Sequence, residues 1–146
     1  MKAGKETLNR SDCPISYALD LVGDKWTLLI LRDMIFAGKS SYREFLQSDE
    51  KIATNILADR LNALTDNGFV IKSVSPENKS KFIYTLTDKA ISLLPVIIEL
   101  SIWGSKNSTA ELNSTLPDVF KKDKVKTIKE FTKVLKKRLS GVSDEE

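Results

Sequence analysis

The chain has 146 residues, of which 41% are hydrophobic and 29% charged, and its 23 Lys and Arg against 20 Asp and Glu give a net charge of +3. This length predicts one compact domain with at most an appended element, and the apolar content excludes a wholly disordered chain. No apolar run approaches the ~20 residues that cross a bilayer, and the polar residues 1–10 are no signal peptide, so we expect a cytoplasmic protein without a membrane partner.

Two helix signals come first. Pro14 suits a first helical turn with its cap among residues 11–13, and Gly23 ends that helix. Asp24 is a typical cap for a second helix over residues 25–36. Because the centre of this second helix is apolar on nearly every side, we expect it to be buried all round at the centre of the fold.

A short helix and a longer one follow. Ser41 and Glu44 have the spacing of a capping box and predict the start of a short third helix. A polar break separates it from a fourth helix over residues 53–67, which Gly68 ends as a left-handed cap. The fourth helix has a narrow apolar stripe, formed by Leu57, Leu61 and Leu64.

The pattern then changes from helices to strands. Residues 69–74 and 82–86 are rich in β-forming residues, and the polar residues 76–81 between them predict a hairpin tip. The apolar residues that follow predict one long helix over residues 88–106.

A basic amphipathic helix is predicted near the C-terminus. A polar linker over residues 107–116 precedes this helix over residues 117–139, and the whole net charge lies in residues 117–146. A membrane-surface or nucleic-acid helix is one interpretation, but a packing helix with a solvated basic face that extends a dimer is the simpler one. The predicted organisation is thus a polar arm over 1–11, a domain over 12–106, the linker, and the basic helix with an acidic tip.

Three helices, a hairpin and a long helix are the order of a winged helix-turn-helix, an α+β and mostly α fold that places one helix in the DNA major groove. The outward positions of the fourth helix are Thr54, Asn55, Ala58, Asp59 and Asn62, with Arg60 towards its flank. Thr54 and Asn55 can bond base edges or phosphates, whereas Arg60 has the alternative of a surface ion pair. Lys79 and Lys81 at the hairpin tip suit the neighbouring minor groove or the DNA backbone, and Arg43 is a further predicted contact of the flank. For the two hairpin lysines, the alternative is that they only keep an exposed strand edge soluble.

Spaced sequence motifs carry a family resemblance over about residues 12–105. They are, in order, Cys13-Pro14, ALDLVGDKWTLLILRD at residues 18–33, REF at 43–45, LADRL at 57–61, DNGFV at 66–70, YTLT at 84–87, LLPV at 93–96 and Trp103. In these motifs the chain resembles the HxlR-type winged-helix transcriptional regulators, which are related in fold to MarR-like proteins.

The resemblance implies a homodimeric, sequence-specific regulator of transcription, which we expect to be a repressor, bound to a pseudo-palindromic operator in double-stranded DNA. Residues 53–67 would be its recognition helix and residues 75–81 its wing. Flanking N- and C-terminal helices would form the dimer through Ile15, Leu19, Ile97, Leu100 and Trp103. The chain departs from the family at Ala53, where a capping Ser or Thr is usual, and at residues 80–82, where Pro-Arg-Val is usual.

Cys13 has two interpretations. A thiol at a helix N-terminus is near the positive end of the helix dipole, which favours the reactive thiolate, and the resemblance implies that some family members sense oxidants or electrophiles at this position. A redox or small-molecule effector would then be a further partner. Because the chain has one cysteine, a disulfide would have to join two subunits or include a small thiol. The alternative is a partly buried structural cysteine.

Two other classes of function compete with a DNA-binding regulator. A winged helix can serve as a protein–protein assembly module that has no operator. A thiol-dependent enzyme at Cys13 is the other alternative, but the chain has no histidine to activate a nucleophile or to bind zinc or iron. We therefore expect no enzyme, no metal site and no cofactor.

Overall fold

The computed structural model describes residues 11–108 and 123–139. In chain order they form α1 Pro14–Val22, α2 Lys25–Ala37, α3 Tyr42–Phe45, α4 Thr54–Asp66, β1 Val70–Val74, β2 Phe82–Leu86, α5 Asp88–Ile91, α6 Leu94–Asn107 and α7 Lys124–Leu139. The chain divides into two compact units, Met1–Thr87 and Asp88–Glu146, so that α1 to β2 belong to the first unit and α5 to α7 to the second.

The second helix, α2, begins where the sequence predicts and ends one residue later than predicted. Asp24 accepts a hydrogen bond from the backbone N–H of Thr27 at 3.0 Å, and Gly38 ends the helix with a left-handed φ of +65°. The prediction that α2 is buried all round is wrong. Its buried apolar residues are Ile30, Leu31, Met34 and Ile35. Its half-buried ones include Trp26, Leu28 and Leu29. The helix contacts α1, α4 and β2, and these contacts leave its other side partly uncovered.

The helix-turn-helix pair consists of α3 and α4. The Ser41 and Glu44 side chains form the predicted capping box at the start of α3. The predicted apolar stripe of α4 is fully buried, at Leu57, Leu61 and Leu64. Gly68 has a left-handed φ of +78° just beyond α4, where the Phe69 N–H donates to the Leu64 carbonyl at 2.9 Å. This pattern closes the end of the helix as predicted.

The two strands form an antiparallel hairpin in which Val70 pairs with Leu86 and Val74 with Phe82. The first strand begins one residue later than predicted, and the second has the predicted bounds. The backbone N–H of Tyr84 in β2 donates to the Ser40 carbonyl at 2.8 Å. This bond ties the middle of β2 to the segment between α2 and α3.

The long helix predicted over residues 88–106 is interrupted. The structure has two helices, α5 and α6, separated at Ser92 and Leu93. Pro95 lies in the first turn of α6. A proline has no backbone N–H and its ring clashes with the preceding turn, so it is tolerated at a helix start but not in a helix interior. The prediction followed the apolar periodicity and gave too little weight to this proline.

The last helix, α7, agrees with the C-terminal part of the predicted basic helix, whereas residues 117–122 lie outside the described residues. Leu135 is its fully buried residue, and α7 contacts both α5 and α6. Among the described helices, none has the length and apolar character needed to cross a membrane.

Lys51, in the turn between α3 and α4, has a φ of +55°, and it is the only non-glycine residue in the described segments with a positive φ. An L-residue in this conformation costs about 1–2 kcal/mol, whereas glycine adopts it freely but loses more entropy on folding. We expect Lys51→Gly to raise the free energy of unfolding by about 0.5–1 kcal/mol, measured by urea denaturation. Lys79→Gly, at an exposed residue without a positive φ, is the control and should not stabilise the protein.

Candidate nucleic-acid interface

The first half of α4 presents a polar, exposed face. Its exposed side chains are Thr54, Asn55, Ala58 and Asp59. Ala53 is the cap residue of α4 and makes no side-chain hydrogen bond. The first backbone N–H groups of the helix therefore lack the side-chain acceptor that a capping Ser or Thr would provide. Such N–H groups, together with a hydroxyl and an amide in the first turn, suit phosphate oxygens and base edges.

Tyr42 fixes the start of α4 and is not among the residues predicted from the sequence. Its hydroxyl donates to the carbonyl oxygen of Thr54 at 2.7 Å, so it links α3 directly to the first turn of α4. No local pattern in the sequence indicates this contact, because it joins residues twelve positions apart in two different helices.

Arg60 is engaged by carboxylates. Its Nε donates to Asp24 Oδ1 at 2.9 Å, and its guanidinium also pairs with Asp59. The structure therefore gives Arg60 the surface ion pair that the sequence analysis left as its alternative. Through Asp24, this pair joins the middle of α4 to the cap of α2.

The same contacts set the ionisation of Asp24. Burial opposes its charge, but the hydrogen bonds from Thr27 and Arg60 and the nearby guanidinium charge outweigh burial and lower the pKa of Asp24 below its ordinary 3.8. A carboxylate with a lowered pKa in the folded state adds stability above its unfolded pKa and loses it as the pH falls through the folded pKa.

We therefore expect Asp24→Asn, which preserves a good helix cap, to destabilise the protein at pH 7 and to lose this effect in acid. The penalty is no more than about 1 kcal/mol, because the Asp24 side chain is 37% exposed. Urea denaturation from pH 7 to pH 3 measures it. A difference between wild type and variant that stays constant below pH 4 would contradict the expectation.

Three cations predicted to contact DNA are free of carboxylate partners within the described residues: Arg43, Lys79 and Lys81. All three are exposed. Arg43 and Lys81 line one cleft of about 450 Å³ between α3 and β2, whose floor includes Tyr42 and Tyr84. The structure thus brings Arg43 and Lys81 together across this cleft, and it leaves their charges available to an anion.

Cys13 is exposed in the part of the chain that the structure describes, whereas the alternative interpretation expects it to be partly buried. It lies at the cap of α1 in a shallow surface depression, whose lining includes Asp12 and Tyr17. On the same helix, Ile15 and Leu19 are 70% and 58% exposed. The apolar face of α1 is therefore uncovered beside the thiol.

The predicted dimer residues of α6 divide into two groups. Leu100 and Trp103 are exposed, as Val96 is, and their spacing places all three on one side of the helix. Ile97 is only 7% exposed. Ile97 therefore belongs to the core and not to the exposed strip of Val96, Leu100 and Trp103. Successive residues of an α-helix point about 100° apart, so Ile97 faces a different side from Val96.

A buried carboxylate, Asp33, organises the turn that precedes α4. It is 7% exposed and accepts hydrogen bonds from Arg32 Nη2 at 2.8 Å, from Lys39 Nζ at 3.4 Å and from the Ser48 hydroxyl. Arg32 also pairs with Glu50. These bonds hold the turn between α3 and α4 against α2, and the sequence analysis gave them no role.

A helix, a turn and a second helix with an exposed first half, followed by an antiparallel hairpin, define a winged helix-turn-helix, a class of DNA-binding protein. The chain belongs to the HxlR-like helix-turn-helix family, which matches residues 21–112. It is therefore a transcriptional regulator of that family and not an enzyme.

Similar proteins support this membership. The HTH-type transcriptional regulator BH0655 of Halalkalibacterium halodurans is 34% identical over 99 residues, which cover 68% of this chain and 88% of that protein. The HTH-type transcriptional regulator YodB of Bacillus subtilis is 34% identical over 95 residues, which cover 64% of this chain and 84% of YodB. The redox regulator HypR in its oxidised form is a similar solved structure, with a TM-score of 0.60, 28% identity, and coverage of 67% of this chain and 100% of HypR.

Proposed function

We propose that this regulator acts as a homodimer that binds a pseudo-palindromic operator in double-stranded DNA and represses transcription by occupying it. The observation that carries the proposal is the exposed first half of α4, where Thr54 and Asn55 lie on the open side of the helix-turn-helix pair. An asparagine amide can pair with adenine through two hydrogen bonds in the major groove, so these residues can select sequence.

Affinity would come from the free cations near α4. Arg43, Lys79 and Lys81 have exposed charges that can neutralise phosphates. Phosphate contacts release counterions, so binding becomes weaker as salt rises, and they position the helix without selecting a base sequence. Arg60, which is paired with Asp24 and Asp59, would hold the recognition helix in place and would not contact a base.

Dimerisation would use the uncovered apolar strips of the two flanking helices. Ile15 and Leu19 belong to the strip of α1, and Leu100 and Trp103 to that of α6. Two copies related by a two-fold axis would present two recognition helices about one DNA turn, roughly 34–36 Å, apart. The two-fold symmetry requires a pseudo-palindromic site, and the spacing sets the separation of its half-sites.

A redox or electrophile effector is the further part of the proposal. HypR is named a redox regulator and has oxidised and reduced structures, and YodB has been solved with a bound quinone. In this chain the exposed Cys13, beside the uncovered face of α1, is the group that would react. A mixed disulfide or adduct there would alter the dimer and hence the distance between the two recognition helices.

The direct test is fluorescence anisotropy of the purified protein with a duplex that spans the region upstream of its own gene. The titration is repeated over a range of salt concentrations and with unrelated DNA as competitor. We expect binding that resists the competitor and weakens steeply with salt. Failure to bind either DNA at low salt would contradict the proposal, and salt-independent binding to another protein would favour an assembly module.

The thiol proposal predicts a response that depends on Cys13 alone. Treatment with a quinone should change the affinity of the wild type for its operator duplex by at least about fivefold, the lower end of typical coupling between sites. Cys13→Ser should keep the untreated affinity and lose the response. Mass spectrometry checks that one adduct forms per chain. An equal response in Cys13→Ser would exclude the cysteine as the sensor.

A further inference from the structure

The exposed side of α7 is a row of lysines. Lys126, Lys129, Lys133 and Lys136 are spaced three or four residues apart and are all exposed, and we call them the basic ridge. At about 100° per residue they occupy an arc of roughly 80° around the helix, on the side away from the buried Leu135. The basic ridge lies outside residues 21–112, which the family match covers.

The charges of the basic ridge are not neutralised. None of its lysines pairs with a carboxylate of residues 11–108 or 123–139. Glu130, the only acidic residue within α7, flanks the ridge without an ion pair in this described part of the chain. By contrast, Lys124, on another side of the helix, pairs with Glu99 of α6. A row of like charges costs repulsion, which an external polyanion would relieve.

The packing of α7 decides whether the basic ridge suits an anionic membrane or a nucleic acid. A helix that lies in a membrane interface needs a free apolar face. In α7 the centre of that face is buried at Leu135 and half-buried at Ile128 and Phe131, and α7 contacts α5 and α6 within its own unit. Of the exposed apolar residues of α7, Val125 and Leu139 lie at opposite ends of the helix, and Val134 lies on the other flank of the basic ridge, so they do not form a continuous apolar face. The ridge thus offers charge without an apolar anchor.

We infer that the basic ridge binds the phosphate backbone of double-stranded DNA as a second contact, independent of sequence and separate from the recognition helix. From Lys126 to Lys136 the helix rises about 15 Å. A duplex segment of that length carries roughly nine phosphates, enough for every lysine of the ridge. The inference rests on the proposed DNA-binding function. DNA that is bound by α4 is held at a high local concentration near the rest of the same chain, which favours a second, weaker contact.

The test replaces the four lysines of the basic ridge together by glutamine. Anisotropy titrations across salt use two probes, the upstream duplex and an unrelated duplex. Each phosphate contact contributes about 0.9 to the slope of log affinity against log salt. We expect this slope to fall by about 2–4 with both duplexes and the affinity at 0.1 M salt to fall about tenfold or more, while the preference for the upstream duplex is unchanged.

A matched variant with arginine at the same four positions keeps the charge and should keep the wild-type slope. Circular dichroism and thermal unfolding check that both variants fold, as expected for exposed helix positions. An unchanged slope in the folded glutamine variant would refute the inference. It would not contradict the proposed role of the recognition helix. If the glutamine variant loses binding to anionic lipid vesicles while its slopes with both DNA duplexes are unchanged, the inference is refuted in favour of a membrane contact.

The same titrations separate this inference from the proposed function. A wild type that binds both duplexes equally, with a slope that falls in the glutamine variant, would support the basic ridge and contradict the sequence-specific function. A wild type that binds neither duplex at low salt would contradict both.

Discussion

The double substitution Thr54→Ala and Asn55→Ala is expected to lower affinity for the operator by roughly a hundredfold and to leave affinity for unrelated DNA nearly unchanged. Each good polar contact to a base edge contributes about 1–3 kcal/mol of discrimination. Both side chains are exposed in the first turn of α4. Alanine favours the helix, so the loss would come from the missing contacts and not from unfolding. Competitive anisotropy with the upstream and unrelated duplexes measures the ratio.

The matched control is Asn62→Ala, which removes the same exposed amide from the second half of the same helix. It lies seven residues beyond Asn55, about 10 Å along the axis, and should leave the ratio within about twofold of the wild type. An equal loss of affinity for both duplexes would mean that Thr54 and Asn55 contact only the backbone. A loss in Asn62→Ala as large as in the double variant would place base recognition elsewhere on α4.

The second large effect is on stability. We expect Asp33→Ala to lower the free energy of unfolding by about 3 kcal/mol, because removal of one partner of a buried ionic network leaves the other partners uncompensated. Asp33 is 7% exposed and serves Arg32, Lys39 and Ser48 at once. For a chain of this size the loss corresponds to a fall in Tm of about 6–12 °C, measured by thermal unfolding.

Glu50→Ala provides the comparison for Asp33→Ala. It also removes a carboxylate that pairs with Arg32, but Glu50 is exposed. Surface ion pairs contribute at most about 1 kcal/mol, so the Tm should change little. If the two variants lose the same stability, the network at Asp33 has no special role in holding the turn between α3 and α4.

Several elements were predicted correctly because their causes are local. The capping box of Ser41 and Glu44, the cap at Asp24 and the left-handed end at Gly68 each depend on partners within a few residues. The stripe that includes Leu57 and Leu61 was equally visible, since helical spacing alone puts these residues on one side. Together with the order of the elements, these signals were enough to predict the winged helix-turn-helix.

Other predictions failed where two local signals competed or where the covering partner was unknown. In the segment predicted over residues 88–106, apolar periodicity favoured one helix, but Pro95 began a new one. The predicted dimer residues also grouped Ile97 with Leu100 and Trp103, although Ile97 is buried and the other two are exposed. A sequence shows which positions are apolar, but it does not show which of several apolar faces of a helix another element covers.

By itself, then, the sequence determined the helix caps at Asp24 and Ser41, the hairpin and the exposed first half of α4, but not the break between α5 and α6. Only the tertiary structure decided which charges are free: it paired Arg60 with Asp24, 36 positions away, and left Arg43 and Lys81 without a carboxylate within the described residues. The physical reason is that caps and turns are stabilised by neighbours along the chain. An ion pair forms wherever folding brings opposite charges within a few ångströms, and spacing along the sequence does not encode that distance.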